Sequence, residues 1–265
     1  MSPDYHQRFS GIGRLYGATA LTRFHQAHVC IVGVGGVGSW IVEALARSGI
    51  GALTMIDLDD VCITNVNRQL PALGSTVGQP KTQVLAQRIA EINPDCAVTQ
   101  VLQFVSEANA PTLLQGPFSL IIDAVDRMSI KSAIIAAATQ RHIPVITCGS
   151  AGGRLDPSKI VTKDLGLAGH DPLLQQVRRK LRKDHGFSKS TDGRALELGI
   201  PCVYSTEPPR FPLPDGNCSL EKPADLENGI RLDCAAGFGA ATHLTGSFAF
   251  AAAAAALKLL AGFGV

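Results

Sequence analysis

A short β-branched run, His28-Val-Cys-Ile-Val32, stops at the cluster Gly33-Val-Gly35-Gly36-Val-Gly38, and apolar residues at near-helical spacing (Ile41, Val42, Leu45, Ala46) follow it. No other stretch of the chain narrows the fold so far. A strand without polar alternation is buried on both faces, which is the habit of a parallel sheet. Gly33, Gly35 and Gly38 have the G-x-G-x-x-G spacing. Glycines so placed permit a sharp turn and let the backbone approach a phosphate at a helix N-terminus. Gly49 supplies a C-cap, and Ala52-Leu-Thr-Met-Ile56 is a second strand that closes a βαβ unit.

The alternation continues through a helix near residues 82–92, strands near 98–105 and 120–122, a helix near 130–140 and a strand over 143–147. This pattern predicts an α/β chain with a Rossmann-like, doubly wound, mostly parallel sheet. Low aromatic content (5%) with abundant alanine and glycine suits such a sheet better than an all-β sandwich. The pattern changes beyond Gly153. Residues 1–153 are therefore expected to form the nucleotide-binding domain with an N-terminal helical arm. Residues 154–265 are expected to form a C-terminal lobe packed on the sheet, for substrate or dimerisation, ending in a long helix.

Seven scattered cysteines, none at C-x-x-C spacing, argue against a disulfide framework and against a tetrahedral zinc site. The N-terminal residues Asp4, His6 and Arg8 leave no apolar segment for a secretory signal, so a cytoplasmic location is expected. The stretch 246–265 is apolar apart from Ser247 and Lys258, but its alanine-rich middle favours a core helix over a membrane span. A net charge of +2 announces no nucleic-acid partner by itself. It conceals Arg178-Arg179-Lys180-Leu-Arg182-Lys183, with Lys189 and Arg194 downstream, a local field suited to a polyanion.

A glycine turn with an acid after the second strand, Asp57, fits NAD, FAD or ATP equally. The discriminating residues come later: Asp57-Leu-Asp59-Asp60, then Asn65-Val-Asn67-Arg68-Gln69, then Lys81. Hydride transfer has no use for two separated cations here, whereas a triphosphate needs them: Arg68 as a bidentate fork, Lys81 as a point charge. The segment 74–82 is no P-loop, because two residues separate Gly78 from Lys81 and no strand precedes it. Ile122-Asp123-Ala-Val-Asp126 delivers two carboxylates at a strand end. Asp126 is placed to hold Mg²⁺ or orient substrate, and Asp123 has the alternative of capping the next helix.

The set Gly33, Gly35, Gly36, Gly38, Asp57, Asp59, Asn65, Asn67, Arg68, Lys81 and Asp126 resembles the nucleotide site of the ubiquitin-activating superfamily. That resemblance implies a homodimer, ATP with Mg²⁺ and adenylation of a carboxylate. Asp57 would contact ribose, Asn67, Arg68 and Lys81 the phosphates, and Asp126 the metal. Bacterial sulfur-carrier adenylyltransferases of the superfamily usually carry two C-x-x-C pairs, which this chain lacks. It resembles instead, nearly end to end, the tRNA threonylcarbamoyladenosine dehydratases, through Arg14-Leu-Tyr-Gly17, Gly149 to Gly153, Cys202-Val-Tyr-Ser-Thr-Glu207 and Asp233-Cys-Ala-Ala-Gly-Phe-Gly239. That family implies ATP-driven cyclisation of a modified adenosine beside the anticodon, tRNA as substrate, no DNA, and a cysteine-desulfurase system as a further partner. The alternative is an adenylyltransferase that activates a ubiquitin-like or sulfur-carrier protein. By the same resemblance an N-terminal arginine, Arg14 in preference to Arg8, enters the partner subunit's site. Cys234 falls in the reactive-cysteine region, and its other reading is a small buried residue before a glycine turn.

Overall fold

The computed structural model describes residues 1–188, 196–221 and 238–264. Seven strands form one sheet: β1 His28–Val32, β2 Ala52–Ile56, β3 Ala97–Val101, β4 Leu120–Asp123, β5 Val145–Cys148, β6 Ile160–Asp164 and β7 Pro201–Ser205. Their order is β3-β2-β1-β4-β5-β7-β6, parallel throughout except for β6, which runs antiparallel to β7 at the edge. The chain builds outward from β1 on one side, then returns to β4 on the other. The crevice outside the carboxyl ends of β1 and β4 is thus the switch point, where ligands bind in such sheets.

Successive side chains on a strand face opposite ways, so each strand feeds two cores. Val29 and Ile31 of β1 and Leu53 and Met55 of β2 join one core, with α2 Ala18–Gln26, α3 Gly38–Ala46, α4 Lys81–Ile92 and α8 Thr242–Ala261. Cys30, Val32 and Ile56 join the other, with α5 Ala110–Leu113, α6 Met128–Gln140 and α7 Pro172–Asp184. Helix α1, Pro3–Tyr16, is anchored by the Tyr5 hydroxyl, which donates to the Gly49 carbonyl at 2.6 Å.

Residues 154–265, expected as a lobe on the sheet, supply two of its strands and the long helix beneath it. Helix α8, with a mean hydropathy of 1.6, is long and apolar enough to cross a membrane. Phe248, Ala249, Ala252 and Ala256 are nevertheless fully covered, packed against the sheet and α3. The strand expected over 98–105 ends at Val101, because the Val101 carbonyl accepts from both Asp57 and Gln103 amides and turns the chain away.

The turn after β4 is fixed by a buried ion pair. Lys131 on α6 and Asp123 at the end of β4 are both fully covered, with Nζ 2.9 Å from Oδ2. Lys131 also donates to the Val125 carbonyl (2.9 Å), the Thr147 hydroxyl donates to Asp123 (2.6 Å), and the Val125 amide donates to Asp123 Oδ1 (3.2 Å). Removing one partner of such a pair leaves a bare charge in the core, at a cost of about 3–5 kcal/mol. Lys131→Met is expected to lose that much in chemical denaturation, and Asp123→Asn added to it to recover a large part. A loss below about 1 kcal/mol for the single variant would show that the pair is not buried as described.

Candidate active site

Gly33 closes β1 with φ +83, a left-handed conformation, and a Cβ on Gly38 would collide with the Gly33 carbonyl oxygen. Only glycine permits both, so the turn brings the N-terminus of α3 against the end of β1. Among the described residues the Gly36 and Val37 amides have no backbone hydrogen-bond partner. They are free donors at a helix N-terminus, the arrangement that receives an anion.

From this turn the other residues follow in contact. The Val34 amide donates to Asp57 Oδ2 at 2.7 Å, and the Asp59 amide to Asp57 Oδ1 at 2.9 Å. Asp57 therefore stands at the end of β2 with its carboxylate held by two amides, and a carboxylate has lone pairs left for ribose hydroxyls. A Cβ on Gly33 would lie 3.1 Å from Val125 Cγ1, which places the β4 turn and its exposed Asp126 beside the glycines.

Lys81 begins α4 and is only 5% exposed, and its Nζ lies 2.8 Å from Asp59 Oδ2. Rather than a free point charge, it is a buried ammonium balanced by a half-exposed carboxylate. Arg68 is half-buried, with Nη1 donating to the Thr64 carbonyl (2.8 Å) and to Asn67 Oδ1 (3.0 Å).

Two of the expected ligand residues also hold their own loop. Asn65 is buried and its Oδ1 accepts from the Cys62 amide at 3.1 Å, so it caps a short 3-10 turn over Ile63–Asn65. Asn67 accepts from Arg68 and donates from Nδ2 to the Ala240 carbonyl at 2.7 Å, so its amide orients Arg68. Asp123 is neither ligand nor simple cap, being the partner of Lys131. Arg14 lies exposed near the end of α1, 3.4 Å from the Ser10 hydroxyl and within its own chain. Cys234, Lys189 and Arg194 lie outside the described residues.

Sequence reasoning missed the polar groups that hold this surface together. Lys131 and Thr147 had no signal, since both sit within apolar runs. Arg154, 2% exposed, donates to the carbonyls of Ser150, Glu207 and His170 and lies 3.7 Å from Asp171. Asp171 in turn accepts from the Ser150 amide and caps α7. Burial pushes the Arg154 guanidinium down, while Asp171 and Glu207 oppose that. The network fixes the loop at the carboxyl end of β5, next to the crevice.

Among the described cysteines, burial pushes the thiols of Cys30 and Cys148 up to about 12 and that of Cys202 well above its usual value, which makes them inert. The Thr64 hydroxyl donates to Cys62 Sγ at 3.2 Å and lowers that thiol. No group of three or more His, Cys, Asp or Glu among the described residues could hold a metal ion. Mg²⁺ needs no such group, because that ion is commonly held by one or two carboxylates together with substrate phosphates. Asp126, exposed on the turn after β4, is the carboxylate expected for it.

This arrangement has known counterparts. The ThiF family model matches residues 10–265. The chain is 48% identical over 258 residues to the tRNA threonylcarbamoyladenosine dehydratase of Escherichia coli (strain K12), covering 97% of this chain and 95% of that protein. A crystal structure of the E. coli dehydratase in complex with ATP superposes with a TM-score of 0.86 at 44% identity, covering 98% of this chain and 96% of the other. The molybdopterin-synthase adenylyltransferase of Salmonella typhimurium (strain LT2) is 34% identical over 121 residues, 46% of this chain and 48% of that protein. A family match over residues 10–265 leaves one conclusion: the chain belongs to the ThiF family.

Proposed function

We propose that this chain is an ATP-dependent dehydratase that cyclises the threonylcarbamoyl group of N6-threonylcarbamoyladenosine beside the anticodon of tRNA, working as a cytoplasmic homodimer. The observation that carries the reading is likeness to a dehydratase of that name over 97% of the chain. The likeness to the adenylyltransferase covers under half of it. The cysteine-desulfurase system is a further partner that the family resemblance implies.

The chemistry starts from a poor electrophile. The carboxylate of the modified base attacks the α-phosphorus of ATP and pyrophosphate leaves. A tethered nucleophile of the same base then attacks the activated carbonyl, the ring closes and AMP departs, with net loss of water from the nucleoside. Because the nucleophile is tethered, proximity supplies much of the rate and no catalytic cysteine is required. Free amides at Gly36 and Val37 receive phosphate oxygens, and Asp57 holds ribose. Arg68 and Lys81 supply positive charge as negative charge builds on the phosphoryl group, and Asp126 would hold a Mg²⁺ ion, which would help to neutralise the phosphates. Arg14, exposed near the end of α1, is the side chain available to reach the partner subunit's site.

Tests of this reading begin with products. Incubation with ATP, Mg²⁺ and threonylcarbamoylated tRNA is expected to yield the cyclic nucleoside by mass spectrometry, with AMP and pyrophosphate. Arg68→Ala and Lys81→Ala are each expected to slow turnover at least about a hundredfold, as loss of a transition-state charge contact does. Detection of ADP and phosphate, or near-normal turnover in both variants, would overturn the assignment.

The tRNA surface we assign is the outer face of α7. Its five clustered cations are not equivalent. Lys180 is paired with Glu107 (3.1 Å) and Asp184 (2.9 Å), and Arg178 reaches the Leu165 carbonyl at 3.4 Å. Arg179 and Lys183 are exposed, and Arg182, half-buried with its Nε covered, is in no ion pair among the described residues. None of these three is neutralised by a neighbour, and the two exposed ones are placed to meet phosphates. Binding of tRNA should weaken steeply with salt, and charge reversal at Arg179 and Arg182 should reduce the slope of log K against log salt by about two. ATP affinity should be unchanged. An unaltered slope would remove α7 from the interface.

A further inference from the structure

Arg68 belongs to a loop, and a guanidinium is only as well placed as the backbone that carries it. The Arg68 amide donates to the Asn65 carbonyl at 3.0 Å. The Arg68 carbonyl accepts two donors from two different helices: the Trp40 indole of α3 at 3.1 Å and the Thr245 hydroxyl of α8 at 3.1 Å. One turn earlier on α8, the Thr242 hydroxyl donates to the Asn67 carbonyl at 2.7 Å, and Asn67 Nδ2 answers to Ala240 at 2.7 Å. Thr245 is 3% exposed, in a helix whose covered face is otherwise phenylalanine, leucine, alanine and glycine.

Its hydroxyl has alternatives within the helix, the carbonyls of Ala241 and Thr242, but both are longer at 3.4 Å. The favoured bond therefore leaves the helix and crosses to Arg68. The same residue borders the phosphate turn: a Cβ on Gly36 would sit 3.3 Å from Thr245 Cγ2 and 3.6 Å from Arg68 Cγ. Glycine turn, arginine stem and α8 threonine thus meet at one point.

We propose that Thr245, seconded by Trp40, is a positioning residue for catalysis: it sets Arg68 through its backbone carbonyl and makes the start of the terminal helix part of the phosphate site. This rests on the reading of Arg68 as a phosphate ligand. A donor from α8 and one from α3 fix the carbonyl from two elements. The guanidinium then needs no reorganisation when charge develops.

The test uses Thr245→Val, which keeps the β-branched shape and removes only the hydroxyl, and Thr245→Ser, which keeps the hydroxyl. We expect kcat to fall about tenfold in the valine variant, about 1.4 kcal/mol, with ATP affinity within about threefold of wild type. The serine variant should recover to within about threefold, which a packing role for the side chain would not produce. Trp40 is the chain's one tryptophan, so its emission reports on the same carbonyl. ATP should perturb that emission in wild type and in Thr245→Ser, and less in Thr245→Val. Turnover in the valine variant within about twofold of wild type, or a serine variant as impaired as the valine one, would overturn the proposal. If wild type binds ATP but cyclises no tRNA, the dehydratase reading falls, and the emission response to ATP alone decides the clamp: equal responses in wild type and Thr245→Val refute it.

Discussion

The approach of Gly38 to the carbonyl of Gly33 is the contact on which the remaining architecture rests. It is too close for any side chain, and the positive φ of Gly33 closes the turn from the other side. Strand β1 and helix α3 are consequently fixed end to end, and the free amides of α3 face the crevice between β1 and β4. Everything else in the site is measured from that turn. Asp57 is held to it through Val34, Arg68 lies against Gly36, and the β4 turn touches Gly33. A substitution that swung α3 by a few degrees would misplace all of them together, because they share one reference.

The second half of the chain is not an accessory to this site. Strand β7 pairs with β5, the Arg154 network ties the loop after β5 to α7, and α8 grips Asn67 and Arg68. The reason is geometrical. A crossover such as residues 57–80 carries no long helix to stiffen it, so loop carbonyls near a highly charged ligand must be held by side chains from neighbouring elements. Hydroxyls and an indole do this without adding charge next to the phosphates.

Strong hydrophobic periodicity made most of the fold legible. Strands β1, β2, β4 and β5 are buried apolar runs, and their alternation with helices is enough to predict the sheet. Edge strand β6, Ile-Val-Thr-Lys-Asp, was not legible, because an edge strand is half-exposed and its antiparallel pairing with a distant β7 leaves no local trace. The site divides in the same manner. Glycines and charges at motif spacing were readable: residues 33–38, Asp57, Arg68 and Lys81. The polar residues that support them were not, since a satisfied buried lysine or threonine has no period and no composition signal. The loop cap made by Asn65 was hidden for a related reason: a motif position indicates importance but not which hydrogen bonds the side chain makes within its own loop.

The Lys81–Asp59 pair adds a last consequence of burial. Lys81 is covered and Asp59 is half-exposed, so their attraction is screened on one side only. An exposed carboxylate gives up a partner far more cheaply than a buried ammonium can go without one. In the absence of a nucleotide, Asp59 keeps the ammonium compensated. On the proposed reading of Lys81 as a phosphate ligand, the oxygens of a triphosphate would take over that role while Asp59 turned to solvent, and Lys81 itself would not need to move. The cation is thereby held in place before the ligand binds, and the rearrangement falls on the group that is cheapest to rearrange. Arg68, gripped at its backbone by Trp40 and Thr245, follows the same logic by a different means, so both cations are preorganised without either being left bare in the core.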